Sequence, residues 1–237
     1  MHTFYAIGYS PWSERARWAL DHGSIAYHPI VFTPTLTDIR LRAALRRPMG
    51  RITVPVLFLT DGTVLEESLE IVRWVSRQDP ERLPLGDSTD EVCAIANRLL
   101  EAGRVRTTHR ALRDDALMKA SLPSFMAPLG GAGVAIGRPI ARRLLIKYPV
   151  GTEEACLEQM IEALEELRAR IDGRSTIHGQ FSCTDIMAAT ALAFVQPAPG
   201  PWAKLNDTAR QGWTEPELAE RFADLLEWRD RLYQSYR

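Results

Sequence analysis

Cysteine is scarce: Cys93, Cys156 and Cys183 are the only three in 237 residues, and no two of them form a CxxC pair. An odd, scattered set excludes a disulfide framework and a cysteine zinc site, and reads as reduced, buried thiols. Histidine is almost as sparse. The five present show no i, i+4 pairing, which argues against metal catalysis, so no metal cofactor is expected. No apolar run approaches the length of a membrane span, and the residues from Thr3 onward read as a strand rather than a leader. A cytoplasmic location is therefore expected. The formal net charge is only −1, with bases and acids interleaved, so neither nucleic acid nor an anionic membrane is expected as a partner. The one local excess is Arg40, Arg42, Arg46, Arg47 and Arg51, which reads as a solvated helix face or, alternatively, as a ligand contact. Gly131-Ala132-Gly133 follows no strand and lacks the G-x-G-x-x-G spacing, which excludes a dinucleotide loop.

What is present is an alternation of strand and helix signals over the first 80 residues, followed by helix alone. Thr3–Ile7 reads as a strand. Ser10-Pro11 opens a helix, serine as N-cap and proline at the first helical position, with apolar residues at Trp12, Ala16, Ala19 and Leu20 and a stop at Gly23. Residues 26–32 form a second strand, and 37–45 a helix with Leu36, Ile39 and Leu45 as packing residues. A third strand at 54–59 turns through Asp61-Gly62 into Val64-Leu65, and Ser68 caps a helix carrying Leu69, Val72 and Val75. The order is βαβαββα, a thioredoxin-like α/β unit over residues 1–80. Residues 81–89 read as a linker, and residues 90–237 as an all-α domain.

In that second part, Leu157, Met160, Ile161, Leu164, Leu167 and Ile171 form one apolar stripe, and Leu218, Phe222, Leu225 and Leu226 another. Ser182-Cys183-Thr184-Asp185 has the form of a capping box. Residues 121–139, rich in proline and glycine, read as an irregular connection, and residues 196–213 as a second long loop before the last helix.

Four segments then share a resemblance. Tyr9-Ser10-Pro11-Trp12-Ser13-Glu14-Arg15-Ala16-Arg17 is similar to the Cys-Pro-Phe-x-x-Arg-x-Arg segment of omega-like cytosolic glutathione transferases, with serine in place of cysteine. Thr53-Val54-Pro55-Val56-Leu57 resembles their Val-Pro-x-Leu, whose proline is cis. Glu67-Ser68-Leu69-Glu70-Ile71 resembles their Glu-Ser-x-x-Ile, and Phe181–Ile186 their structural capping box. The chain departs from the pattern in carrying two extra residues between Gly50 and Val54. Nothing in 121–139 or after Gln196 aligns with it.

The resemblance implies a glutathione transferase in which bound glutathione thiolate attacks an electrophilic, apolar co-substrate. An ordinary thiol has a pKa of about 8.5. A hydroxyl at a helix N-terminus favours the anion through both its hydrogen bond and the dipole, and Ser10 is the candidate, with Ser13 and Tyr9 behind it. Val54 and Pro55 would pair with the cysteinyl backbone of glutathione, while Glu67 and Ser68 would hold its γ-glutamyl end. Arg42 or Arg51 would take the glycine carboxylate. Trp12, Phe125, Met126 and Trp202 could line the co-substrate pocket or simply pack in the core. Two other readings stand beside this one: a zeta-like glutathione-dependent isomerase, and a non-catalytic ligand-binding module. Omega-type reductase chemistry runs through a protein cysteine, and Ser10 stands there instead. The family also implies a homodimer, with Val92, Ile95, Ala96 and Leu99 either at the interface or packed internally.

Overall fold

The computed structural model describes residues 1–33, 37–122, 124–147 and 151–237, and for Ser124, Phe125, Ala127 and Lys147 the backbone alone. Strand β1 (His2–Ala6) lies between β2 (Tyr27–Val31), parallel to it, and β3 (Val56–Phe58), antiparallel. Strand β4 (Val64–Leu65) closes the order β2-β1-β3-β4. Side chains alternate across β1: Phe4 and Ala6 join the main core, whereas Tyr5 faces a smaller cluster with Leu41, Ile52 and Val56.

Helix α1 (Pro11–His22) makes the crossover that the parallel β1–β2 pair requires. It ends at Gly23, where a Cβ would come within 2.6 Å of Val75 Cγ1 on helix α3 (Ser68–Gln78), so the glycine permits close α1–α3 packing. Helix α2 (Asp38–Ala44) covers the other face of the sheet through Leu41, which is fully buried. Ile39 is instead 72% exposed, because residues two apart lie on opposite sides of a helix. Leu36 lies outside the described residues.

Every element among the remaining described residues is helical, as expected, and the class is a thioredoxin-like unit followed by a helical bundle of the glutathione transferase type. Its spine is α4 (Thr89–Arg113), followed by α5 (Asp115–Ser121), α6 (Gly130–Lys147) and α7 (Glu153–Ile171). Helix α8 (Cys183–Ala191) is buried along its whole length, and its polar side chains Thr184, Asp185 and Thr190 are all hydrogen-bonded. Its start is held by Asp185, which accepts from Ser182 N–H at 2.8 Å, Ser182 Oγ at 2.7 Å and Ile177 N–H at 2.8 Å. One continuous core joins Phe4, Trp18 and Ile71 to Leu99, Ile186 and Trp228.

Three expectations change. Residues 121–139 are not an irregular connection: a 3-10 turn at Ser124–Leu129 leads into α6, which contains Pro139. Gly137 serves close approach, since a Cβ there would meet Leu122 Cδ2 at 2.6 Å. Residues 196–213 include helix α9 (Asp207–Trp213), and the terminal stripe is divided at Phe222 between α10 (Pro216–Arg221) and α11 (Ala223–Tyr236). Finally, Val92, Ile95, Ala96 and Leu99 are all buried within the single chain, so they pack internally and offer no interface. No helix among the described residues is long and apolar enough to cross a membrane.

Candidate functional site

Strand register brings three distant segments to one end of the sheet. Tyr5 pairs with Val56 in antiparallel register, so β1 runs out toward the turn that carries Ser10 at the end where Val54–Pro55 enter β3. Leu57 pairs with Leu65, so the residues that follow β4 and lead into α3 leave the sheet at the end where Val54–Pro55 enter β3. The Val54–Pro55 peptide is cis. Neither the N–H nor the carbonyl of Val54 has a hydrogen-bond partner among the described residues, so both can serve a bound backbone. Helices α1 and α3 begin at this same end, and their free N–H groups and dipoles favour negative charge there.

Ser10 is the N-cap of α1, with extended backbone (φ −75°, ψ 126°) and a long bond accepted from Ser13 N–H at 3.5 Å. Ser13 is fully buried, and its Oγ accepts from Ile7 N–H at 3.1 Å, tying the strand end to the helix. The two hydroxyls therefore differ: Ser10 is half-exposed and weakly engaged, while Ser13 is committed to the backbone. Tyr9 is 41% exposed and packs edge-on to Trp213 at 5.9 Å. Desolvation around its ring nevertheless raises its pKa above the ordinary value, which keeps the phenol protonated.

Glu67, not Ser68, occupies the N-cap position of α3 (φ −119°, ψ 144°), without a side-chain cap bond. Ser68 is the first helical residue and is buried. Its backbone N–H is thus one of the unsatisfied donors at the helix start. The Glu67 carboxyl is pushed up from its usual range by desolvation first, then by neighbouring Glu70, with Arg51 opposing. Although Glu67 is exposed as a residue, its carboxyl is crowded by other acids. Glu66 and Glu70 both have partners. Arg47 grips Glu66 bidentately at 2.8 and 2.9 Å, and Glu66 N–H donates to Glu70 at 3.3 Å. Of the two arginines considered for a carboxylate, Arg42 is engaged by Asp38 at 2.7 Å and the Gly50 carbonyl at 3.1 Å, whereas Arg51 lies close enough to Glu67 to act on its charge.

A narrow cleft beside Ser10 is walled by Tyr9, Pro11, Glu14, Thr190, Ala198 and Trp202. Trp202 thus lies at the site. Trp12 turns away from the cleft: its Nε1 donates to Asn97 Oδ1 at 3.3 Å, and Arg104 covers its ring at 5.0 Å. Met126 is buried beneath α6, with its carbonyl against Gly133. The side chain of Phe125 lies outside the described residues.

Two charged groups next to the site carry no role in the sequence reading, although both stand in the quoted Ser10–Arg17 segment. Glu14, nearly buried, holds Arg17 at 2.6 Å and Arg237 at 2.7 Å, and Arg237 lies over Trp202 at 4.5 Å. Arg15 is fully buried, with no carboxylate in ion-pair reach among the described residues. It donates to Asn97 Oδ1 at 3.0 Å, Thr190 Oγ1 at 3.4 Å and Cys93 Sγ at 3.6 Å. Burial lowers its pKa from the ordinary value. The helical period places Arg15 on the buried side of α1, but the acceptors come from α4 and α8, which sequence spacing cannot locate.

Residues 9–78 match the family described as glutathione S-transferase, N-terminal domain. No curated protein matches the sequence significantly. Among solved structures, a glutathione S-transferase from Methylobacterium radiotolerans in complex with glutathione sulfonate is 18% identical, with 99% of this chain and 91% of that one aligned at a TM-score of 0.61. A glutathione S-transferase from Methylobacillus flagellatus with glutathione bound is 17% identical over 99% and 95% of the two chains, with a TM-score of 0.57. A family member from Pseudomonas fluorescens with bound glutathione is 18% identical over 99% and 95%, with a TM-score of 0.59. At these identities the likeness is one of fold: the whole chain has the glutathione transferase architecture.

Proposed function

We propose that this chain is a glutathione transferase-superfamily enzyme, in which residues 1–80 hold glutathione and residues 90–237 shape the co-substrate side. The observation that carries the reading is the convergence of Ser10, Val54–Pro55 and the α3 N-terminus at one end of the sheet. In this reading the cysteinyl backbone of glutathione pairs with Val54, and its γ-glutamyl carboxylate meets the Ser68 N–H and hydroxyl. Glu67 takes the ammonium. The thiol then lies over the start of α1, where Ser10 donates to the sulfur.

Lowering a thiol pKa by two units requires about 2.7 kcal/mol of preferential stabilisation. One charge-assisted hydrogen bond and a helix N-terminus together supply that order of magnitude. The thiolate attacks an electrophilic carbon of an apolar molecule, and catalysis consists of thiolate stabilisation plus positioning. The N-terminal family match and the glutathione or glutathione sulfonate carried by three related folds support the ligand.

Retention on immobilised glutathione, followed by turnover of a generic aryl halide, tests the reading. No retention removes glutathione from it, and retention without turnover of any electrophile moves it to a binding module.

A further inference from the structure

Residues 196–206 contain neither helix nor strand, yet they are firmly held. Pro197, Pro199 and Pro201 fix φ at alternate positions. Arg210, on α9, donates to the carbonyls of Ala198 at 2.9 Å, Gly200 at 2.8 Å and Ala203 at 3.0 Å. The segment lies against the turn that carries Ser10. Trp202 and Ala203 line a cleft with Tyr9 and Pro11. Lys204 N–H donates to the Gly8 carbonyl at a long 3.5 Å, and the aliphatic stem of Lys204 lies on Gly8, where an added Cβ would stand 3.1 Å from Lys204 Cδ. Glycine at this position lets the stem seat on the backbone two residues before Ser10. The Lys204 ammonium is left over: the residue is exposed, and its side chain has no ion-pair or hydrogen-bond partner among the described residues. Glu14, the only acid among the described residues lining the cleft, is already held by Arg17 at 2.6 Å and Arg237 at 2.7 Å.

We propose that Lys204 selects the co-substrate: the electrophile is an apolar molecule that carries a carboxylate, and Lys204 receives that carboxylate. The inference rests on the glutathione reading above and deepens it. A lysine with its stem packed and its head in water engages an incoming anion without giving up an existing partner. Because proline and Arg210 already hold the segment, little backbone freedom is lost when the anion arrives. A carboxylate brought beside a glutathione thiolate meets like charge, and Lys204 offsets it from the side of the helical domain. The start of α1 adds its own field for negative charge at the same turn. Tyr9, 41% exposed and edge-on to Trp213, supplies aromatic surface next to it, which suits a flat ring as the apolar part.

The test uses reaction products, so it does not depend on turnover. Calorimetry of the full chain compares two S-aryl glutathione conjugates, S-(dinitrophenyl)glutathione and its analogue with one carboxylate on the ring. The quantity read is the ratio of their dissociation constants in the wild type and in Lys204→Met, Lys204→Arg and Lys204→Glu. Lys204→Met should weaken the carboxylated conjugate about fivefold relative to the uncharged one, the upper end for an exposed ion pair. Lys204→Arg should keep the wild-type ratio, and Lys204→Glu should lose more than Lys204→Met. Added salt should shrink the wild-type preference. A ratio unchanged in both Lys204→Met and Lys204→Glu overturns the inference and leaves the glutathione reading standing, as does binding of glutathione without either conjugate. Failure of the wild type to bind glutathione or either conjugate removes both.

Discussion

Ser10 and Ser13, one helical turn apart, have divided the roles of a serine at a helix start. Ser13 Oγ accepts the Ile7 N–H at 3.1 Å and is sealed from solvent, while Ser10 Oγ holds only a 3.5 Å cap bond and stays half-exposed. This gives opposite expectations for the two alanine variants. Ser13→Ala leaves a buried backbone N–H without an acceptor, at a cost of about 1–3 kcal/mol. Thermal unfolding should show the loss in Ser13→Ala. Ser10→Ala loses a weak cap, at the low end of about 0.5–2 kcal/mol, but should lower turnover and move the pH–rate profile upward. An unchanged profile in Ser10→Ala removes Ser10 from the thiolate. Ser10→Cys should exchange transferase activity for thiol–disulfide exchange.

Glu67 and Ser68 stand at the start of α3, and the proposed γ-glutamyl contacts depend on them. Losing a charged hydrogen bond costs about 1.5–3 kcal/mol, roughly ten- to hundredfold in affinity. Calorimetry of glutathione binding to Glu67→Gln and Ser68→Ala should show losses of that order. Wild-type affinity in both variants would sink the assignment.

Asn97 accepts hydrogen bonds from both Trp12 Nε1 and Arg15 Nη1, and it is the shortest of the Arg15 contacts. Asn97→Leu should therefore leave a buried guanidinium short of an acceptor and destabilise the chain by about 1.5–3 kcal/mol. Pairing it with Arg15→Met removes the stranded charge and should recover much of the loss. A double variant no more stable than Asn97→Leu alone, in chemical denaturation, refutes the account.

Burial pushes the Cys183 thiol up to about 12, with a bond from Ser76 opposing. Above about pH 9 the unfolded chain ionises this thiol and the folded chain does not, so the unfolded state binds fewer protons and stability falls with rising pH. The slope contributed by this group approaches about 1.4 kcal/mol per pH unit and ends near the folded value. Cys183→Ala should flatten that limb of a stability–pH curve. All three cysteines are buried, so a thiol reagent should react with none until the chain unfolds.

The features legible in the sequence are those set by short-range chemistry. Ser10-Pro11 starts α1 because a hydroxyl cap and a fixed φ act within one turn, and Ser182 with Asp185 starts α8 for the same reason. Alternation and helical period gave the βαβαββα order and the helical remainder, since burial of one face leaves a local pattern. The glycine-rich stretch before Pro139 misleads by the same local rules. Residues 130–147 are helical because Gly133 and Gly137 seat closely against Leu122 and Met118, a contact made across a turn of the fold. The acceptors around Arg15 also come from helices 82 and 175 residues away, and Trp202 lines one cleft with Tyr9 from a non-helical segment late in the chain. Composition and spacing determined which elements exist and where serine, proline and glutamate mark their ends. Only packing decided which faces those elements turn toward one another, because the free energy of burial depends on neighbours brought together by the whole chain.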